Sequence, residues 1–305
     1  MTARPLVFIL APSYSGSTLL AFLLSRHPQI ATIGERKATS MGSIAEYQCS
    51  CGELILECEF WQSVTAYCRS RGIDFSVESF DTELRSNSGL ANRLVRTTVR
   101  GEVFEWARTA ALKILPGSKA ALHRSIIRNT EIADAVCAIQ QKQYFLDSSK
   151  TPARLKHFAA SGLWHLKVIN LHRDGRGVAN SNRKHLDTSM RDASATWARD
   201  AAEIDRLTHQ LRDVPVVTIR YEDLCREPEK VLATITDELG LNRMDLQPQA
   251  FKEGNHHILG NSMRLNSVSE IRFDETWRSE LSEQELQDFD AKAGEVNRAL
   301  GYAAS

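Results

Sequence analysis

An excess of charge of either sign is missing: Lys plus Arg is 38 and Asp plus Glu is 38 over 305 residues. A general polyanion binder carries a basic surplus. Nothing therefore points to nucleic acid or an acidic membrane as a main partner, although a local site for a small anion stays open. Long apolar runs are missing too. Residues 5–25 carry no charge and follow Arg4, as in a signal peptide. The apolar stretch Leu6–Ala11 is short, however, and polar Pro12–Thr18 interrupts it before the about 20 residues of a spanning helix are reached. The segment reads as a buried strand, a polar turn and a helix, and the expectation is a soluble, cytoplasmic chain. Internal repeats, low-complexity tracts and long linkers are also lacking. With 42% hydrophobic and 25% charged residues, the composition excludes a collagenous or disordered chain.

Cysteine is scarce. Six residues do not make a disulfide framework at this length. Cys68, Cys137 and Cys225 are scattered and read as small buried residues or free thiols. Cys49, Cys51 and Cys58 form a C-x-C-x6-C cluster that could seed a zinc site or a disulfide. A structural zinc site wants four ligands, and no fourth is evident beyond Cys68, in a predicted helix. The cluster reads as a local structural turn, with no metal assigned.

What is present is strand–helix alternation. Leu6–Leu10 is a continuous apolar run, as in a strand buried on both faces. Helix follows over Leu19–Leu24. Gln143–Leu146, Leu166–Leu171 and Pro215–Ile219 are further strands, and Asp147 reads as a strand-end turn residue. A helix starts at Pro228 and is capped by Gly240. Ser282 and Glu285 open the last helix as a capping box. Such alternation predicts an α/β fold with a central, mainly parallel sheet flanked by helices. Residues 1–305 are read as one domain, with its core in 5–40 and 143–302. The helical stretch of about 60–140 is an insertion over the carboxyl ends of the strands, where α/β ligands bind.

The first strand runs through Ala11-Pro-Ser-Tyr-Ser-Gly-Ser-Thr18 directly into a helix. Free backbone N–H groups and the helix dipole make such a start an anion site. Gly16 lets a ligand approach, and Ser15, Ser17 and Thr18 add hydroxyls. An ordinary N-cap is the plainer alternative. A triphosphate loop, G-x-x-x-x-G-K-[ST], is not matched: Ala11 holds the first Gly position and Ser17 that of the Lys. Arg173, just past the strand Leu166–Leu171, and Ser181, eight residues on, make a second anion-type pair.

Two anion sites on one sheet suit a nucleotide phosphorylated at both ends of its ribose. The ordered set resembles the sulfotransferases that use 3'-phosphoadenosine 5'-phosphosulfate (PAPS), the tyrosylprotein and carbohydrate branches especially, in a soluble bacterial-type form. The resemblance rests on Pro12–Leu19, His172–Ser181, Arg220–Leu224 followed by Pro228, and Gly260–Arg264 with Trp277 beyond. It covers 5–40 and 143–240, and more weakly 255–302. It implies a P-loop-like α/β domain and transfer of a sulfuryl group from PAPS to an acceptor hydroxyl. It also implies that Ser13, Tyr14, Ser15, Gly16, Ser17, Thr18 and Leu19 hold the 5'-phosphosulfate. Arg173 and Ser181 would hold the 3'-phosphate, and Arg264 the 3'-phosphate or adenine side.

Many members carry Lys or Arg where this chain has Tyr14. Lys150, in a Lys-x-Pro after the strand Gln143–Leu146, is the implied replacement cation. Glu35, in a Gly-Glu after a predicted second strand, is the implied general base. The competing reading of Glu35 is a salt bridge with Arg36 or Lys37, and His256 and His257 are alternative bases. Trp277 reads as a packing residue, and Arg176, Asn182 and Arg183 as helix-surface residues. Lys and Arg supply the charge, so no metal is implied. The branch resemblance favours a carbohydrate, glycolipid or small-molecule acceptor. A small-molecule kinase using ATP and Mg²⁺, and a non-catalytic nucleotide-binding relative, stand as the other readings.

Overall fold

The computed structural model describes residues 3–35, 43–243, 251, 254–258, 262–265 and 270–303. Five strands, β1 Arg4–Leu10, β2 Ile30–Thr32, β3 Tyr144–Lys150, β4 Trp164–His172 and β5 Val216–Arg220, form one parallel sheet in the order β2-β3-β1-β4-β5. Helix α1 (Ser17–Ser25) joins β1 to β2. Helices α2 (Glu59–Ser70), α3 (Gly89–Arg96), α4 (Glu102–Ile114) and α5 (Ser118–Gln140) lie between β2 and β3. Helix α6 (Pro152–Ser161) links β3 to β4, and α7 (Gly175–Leu186) and α8 (Met190–Gln210) link β4 to β5. After β5 come α9 (Tyr221–Arg226), α10 (Pro228–Glu238), α11 (Trp277–Glu280) and α12 (Glu283–Ala299).

The apolar run of β1 explains the layering. Successive strand residues face opposite sides of a sheet. Leu6, Phe8 and Leu10 enter one core with residues of α2, α5, α6 and α8. Val7 and Ile9 enter the other core with α1, α9 and α10. A third, smaller core joins α7, α8 and α12 around Trp197 and Phe289. The stretch read as a helical insertion is helical, and α5 within it packs on the sheet face carrying Leu6 and Phe8. The segment before α4 contacts α8: the Val99 N–H donates to Glu203 Oε1 at 2.6 Å.

The anticipated end elements are found. The capping box of α12 is complete, and Gly240 and Gly301 have left-handed backbone just past α10 and α12. One strand is longer than its apolar run. β3 continues through Asp147, Ser148 and Ser149 to Lys150. Asp147 is therefore no turn residue: it is fully buried, and its Oδ2 accepts from Arg154 Nε at 3.1 Å. Arg154 also donates to Thr82 O and Asn129 Oδ1. The polar end of β3 is stable because this network satisfies it.

Breaking a buried pair on one side leaves an uncompensated charge. Asp147→Ala is therefore expected to destabilise the fold by about 3–5 kcal/mol in urea unfolding. A loss below about 1 kcal/mol, the surface-pair range, would show that the pair is not integral to the sheet.

Candidate active site

The anion loop closes by a backbone turn that needs left-handed residues. Tyr14 has φ +62° and Gly16 φ +90°. A Cβ at Gly16 would lie 2.4 Å from Cδ2 of Tyr221, so glycine is required twice over. Gly16 is also the N-cap of α1 and has no side chain to cap the first turn. The N–H groups of Ser17, Thr18 and Leu19 thus stand at the positive end of the helix. The Leu19 side chain is buried in the core, so its N–H is what it offers an anion. Ser15 is fully buried and its Oγ has no hydrogen-bond partner among the described residues. Helix α7 starts after β4 in the corresponding way, but its start is closed. Asp174 accepts from Arg176 N at 3.0 Å, Glu222 from Asp174 N at 3.0 Å and Asn297 from Gly175 N at 2.9 Å.

Arg173 sits beside the open loop. It is buried, donating Nη1 to Tyr14 O at 2.8 Å and Nη2 to Asp274 O and Oδ2 at 3.0 and 2.9 Å. Its guanidinium lies over the Tyr221 ring, 4.5 Å from the centroid. Burial pushes the Asp274 carboxyl up, but hydrogen bonds from Arg173 and Thr276, with the Arg173 charge, outweigh it and hold the group below its ordinary value. Ser181 lies in α7, half-buried, one turn before His185. The Tyr14 ring stacks on His185 with centroids 4.9 Å apart. Tyr14 therefore turns its side chain to α7 and supplies no charge to the loop.

Lys150 and Glu35 meet. Their side chains form an ion pair across the ends of β3 and β2, each 17% exposed. Lys150 has φ +67°, a strained backbone for a non-glycine residue. The pair lines a cavity of about 240 Å³ together with Ser13, Asp200 and Glu203. Burial raises the carboxyl pKa values of Asp200 and Glu203, against the Arg199 charge for the first and the Val99 N–H for the second. Arg36 and Lys37, the other partners considered for Glu35, lie outside the described residues.

Several residues are placed elsewhere. Arg264, expected at the 3'-phosphate or adenine side, donates to Gln48 O at 2.6 Å and covers the Tyr47 ring at 5.0 Å. Tyr47 in turn bonds Ile258 O, and Ile258 N bonds Ile33 O at 3.4 Å, just past β2. Strands lie about 4.8 Å apart, so the β2 edge is about 14 Å from β4 and Arg173. Gly260 and Asn261 of that stretch lie outside the described residues. The alternative bases do not line the cavity. His257 is buried against Phe22, centroids 4.2 Å apart, and burial, with the Arg264 and His256 charges, lowers its pKa to about 3. Burial lowers His256 to about 4, and its Nδ1 faces Cys58 and Cys49.

Trp277 packs in the third core with Arg176 over its ring at 4.3 Å. Arg176 and Asn182, expected on the helix surface, are buried. The reason for Arg176 is its bidentate pair with Asp174, at 3.0 and 2.7 Å. Arg183 is half-buried and ties α7 to Glu285 of α12 at 2.9 Å. The residues not anticipated are Asp274, Tyr221, Asp200 and Glu203. Tyr221 belongs to the quoted stretch Arg220–Leu224, which was a usable signal. The acidic residues of α8 and the lone Asp274 carry no local pattern that marks them.

The site thus joins a parallel sheet with one uncapped helix start, a buried arginine beside it and a carboxylate–ammonium pair in the adjoining cavity. The model of the sulfotransferase family matches residues 79–245, more than half of the chain. The chain belongs to that family, and it is an enzyme of sulfuryl transfer. The match takes in Lys150, Arg173 and Ser181 and stops short of the loop after β1. The fold is similar to the sulfotransferase domain from the Synechococcus PCC 7002 olefin synthase, at TM-score 0.51 and 20% identity, covering 100% of this chain and 97% of that one. It is similar also to the sulfotransferase domain from the curacin biosynthetic pathway, at TM-score 0.51 and 18% identity, covering 100% of each. At these identities the likeness bears on the P-loop-like fold alone. No curated protein sequence matches the chain. Among the described residues no helix is long and apolar enough to cross a membrane.

The depressed Asp274 carboxyl has a pH signature. Its contribution is present above the ordinary value of 3.8 and is lost as pH falls through the lower folded value. Asp274→Asn is expected to reduce the loss of thermal stability between about pH 7 and pH 3. Parallel pH dependence in the two proteins would show that the Arg173–Asp274 pair adds nothing to stability.

Proposed function

We propose that the chain transfers the sulfuryl group of PAPS to an acceptor hydroxyl, acting as one catalytic domain. The observation that carries the reading is the buried, unpartnered Ser15 hydroxyl at the uncapped start of α1, next to the Lys150–Glu35 cavity. A buried hydroxyl without a partner costs about 1–3 kcal/mol, and a phosphosulfate oxygen would relieve that cost. The residues present fit the donor. Ser13, Ser15 and the N–H groups of Gly16, Ser17, Thr18 and Leu19 would hold its 5' end. Arg173 and Ser181 would hold the 3'-phosphate. Asp274, an anion already seated on Arg173 with its side chain 40% exposed, is the group such a phosphate would replace.

When bound, the donor supplies the sulfuryl group and departs as adenosine 3',5'-bisphosphate. Glu35 takes the proton of the attacking hydroxyl. Lys150 and the α1 N–H groups meet the negative charge that develops on the departing phosphate oxygen. The Lys150 ammonium takes the role of the loop cation that Tyr14 does not provide. The acidic wall from Asp200 and Glu203 suits a hydroxyl-rich acceptor, carbohydrate or small molecule, that can donate hydrogen bonds to it.

Calorimetry with adenosine 3',5'-bisphosphate, beside ATP with Mg²⁺, tests the donor site. The unsubstituted chain should bind the bisphosphate in preference to ATP, and Arg173→Ala should lose it. ATP preference without bisphosphate binding would move the kinase reading to the front. Acceptor turnover tests the chemistry. Glu35→Gln should lower kcat by about 10²–10⁴-fold while keeping bisphosphate affinity. Lys150→Ala should lower it by about 10²–10³-fold. A Glu35→Gln enzyme of unchanged kcat would remove Glu35 as the base.

A further inference from the structure

We propose that Cys49, Cys51, Cys58 and His256 form a structural zinc site of the Cys₃His type. It goes beyond the sulfuryl-transfer reading and does not depend on it. The three cysteines occupy a ten-residue stretch, whereas His256 comes from a segment 198 residues beyond Cys58. The chain nonetheless brings all four ligand atoms within 4.8 Å of one another.

The distances suit a tetrahedron. With Zn–S of about 2.3 Å and Zn–N of about 2.0–2.1 Å, the edges of a regular site are about 3.8 Å between sulfurs and about 3.6 Å from sulfur to nitrogen. Cys51 Sγ lies 3.7 Å from Cys58 Sγ, and His256 Nδ1 lies 3.3 Å from Cys58 Sγ and 3.7 Å from Cys49 Sγ. Three thiols and an imidazole are a donor set that favours zinc among the common biological metals.

The surroundings are those of a ligand shell. The Cys-Ser-Cys-Gly turn closes through Gly52 N donating to Cys49 O at 3.0 Å, with Gly52 at φ +98°. Cys58 is the N-cap residue of α2, and a helix N-terminus favours a thiolate. The His256 ring is fixed by stacking on Phe60, with centroids 4.4 Å and planes 7° apart. Ser50 sews the two segments together: its N–H donates to His257 O at 3.1 Å, its Oγ donates to Asn255 O at 2.7 Å and accepts from His257 N at 2.7 Å.

With four protein ligands the site is closed, as structural zinc sites are. None of the four lines the Lys150–Glu35 cavity. On binding, zinc displaces three thiol protons to solvent and is held by three thiolates and the neutral imidazole. The metal would staple residues 255–258 to the 49–58 turn. Through Ile258 and Ile33 it would staple them to the end of β2.

The test is elemental analysis of the full chain purified without chelator, with cobalt(II) exchange as the spectroscopic probe. The expected result is about one zinc per chain and, after exchange, the thiolate charge-transfer and strong visible bands of tetrahedral cobalt. Chelation should lower Tm by several degrees and expose three more thiols to titration. Cys51→Ser, at an exposed ligand, should lose the metal while the chain stays folded. His256→Cys should keep it with a shifted cobalt spectrum. Two results would overturn the proposal. One is less than about a tenth of a zinc per chain with no tetrahedral cobalt bands. The other is a Cys51–Cys58 disulfide in the native protein.

Discussion

On the proposed reading, the guanidinium of Arg173 is the contact on which the donor end of the site depends. A buried charge is tolerated only where partners surround it. Here these are the Tyr14 carbonyl of the loop after β1, Asp274 of the carboxyl-terminal segment and the Tyr221 ring of α9. Tyr221 in turn seals Gly16 from behind and accepts a hydrogen bond from Asp274 N at 3.3 Å. Three parts of the chain far apart in sequence thus converge on one cation. The partners are not equivalent. Tyr14 O is held by the backbone of a constrained loop, whereas the Asp274 side chain is 40% exposed. An anion arriving from solvent can exchange with the carboxylate and leave the loop contact intact.

The two helix starts beyond β1 and β4 show where polar capacity is left open. The α7 start has side-chain acceptors for the N–H groups of its N-cap Asp174 and of Gly175 and Arg176. The α1 start has an N-cap without a side chain and a buried serine without a partner. Backbone strain gathers at the same place. Tyr14 and Lys150 are both non-glycine residues at positive φ; Lys150 lines the cavity, and Tyr14 directly follows Pro12 and Ser13, which line it too. Such a conformation costs about 1–3 kcal/mol per residue and persists where the surroundings over-determine it. The Arg173 bond on Tyr14 and the Glu35 pair on Lys150 are that determination.

The sheet was legible because its strands are buried on both faces, and an unbroken apolar run such as Leu6–Leu10 has few other uses in a chain of this composition. The loop and Arg173 were legible for a similar reason: each follows such a run directly. The polar end of β3 was not, since Ser148, Ser149 and Lys150 look like a turn until Arg154 and Asn129 are seen to satisfy Asp147 and its surroundings. The contacts of Arg264 were not legible because they are made with Tyr47 and Gln48, more than 200 residues away in sequence. The fourth member of the cysteine cluster was hidden in the same way. The C-x-C-x6-C spacing shows three ligands, and only the packing of 255–258 against 47–58 supplies His256.

The strand order assigns the remaining division of labour. Along the carboxyl edge the sheet presents β2, β3, β1 and β4, and with them Glu35, Lys150, the anion loop and Arg173. On the proposed reading, a donor with anions at both ends of its ribose lies over β1 and β4, and the acceptor approaches from β2. β2 is a three-residue edge strand. Beyond it the chain is held by Ser148 N on Gly34 O, by Ile258 N on Ile33 O and by Lys150 on Glu35. The segment that carries Ile258 is also the one that carries His256. The Cys–His cluster therefore bears on the position of Glu35, the proposed base, through the β2 edge, without lining its cavity.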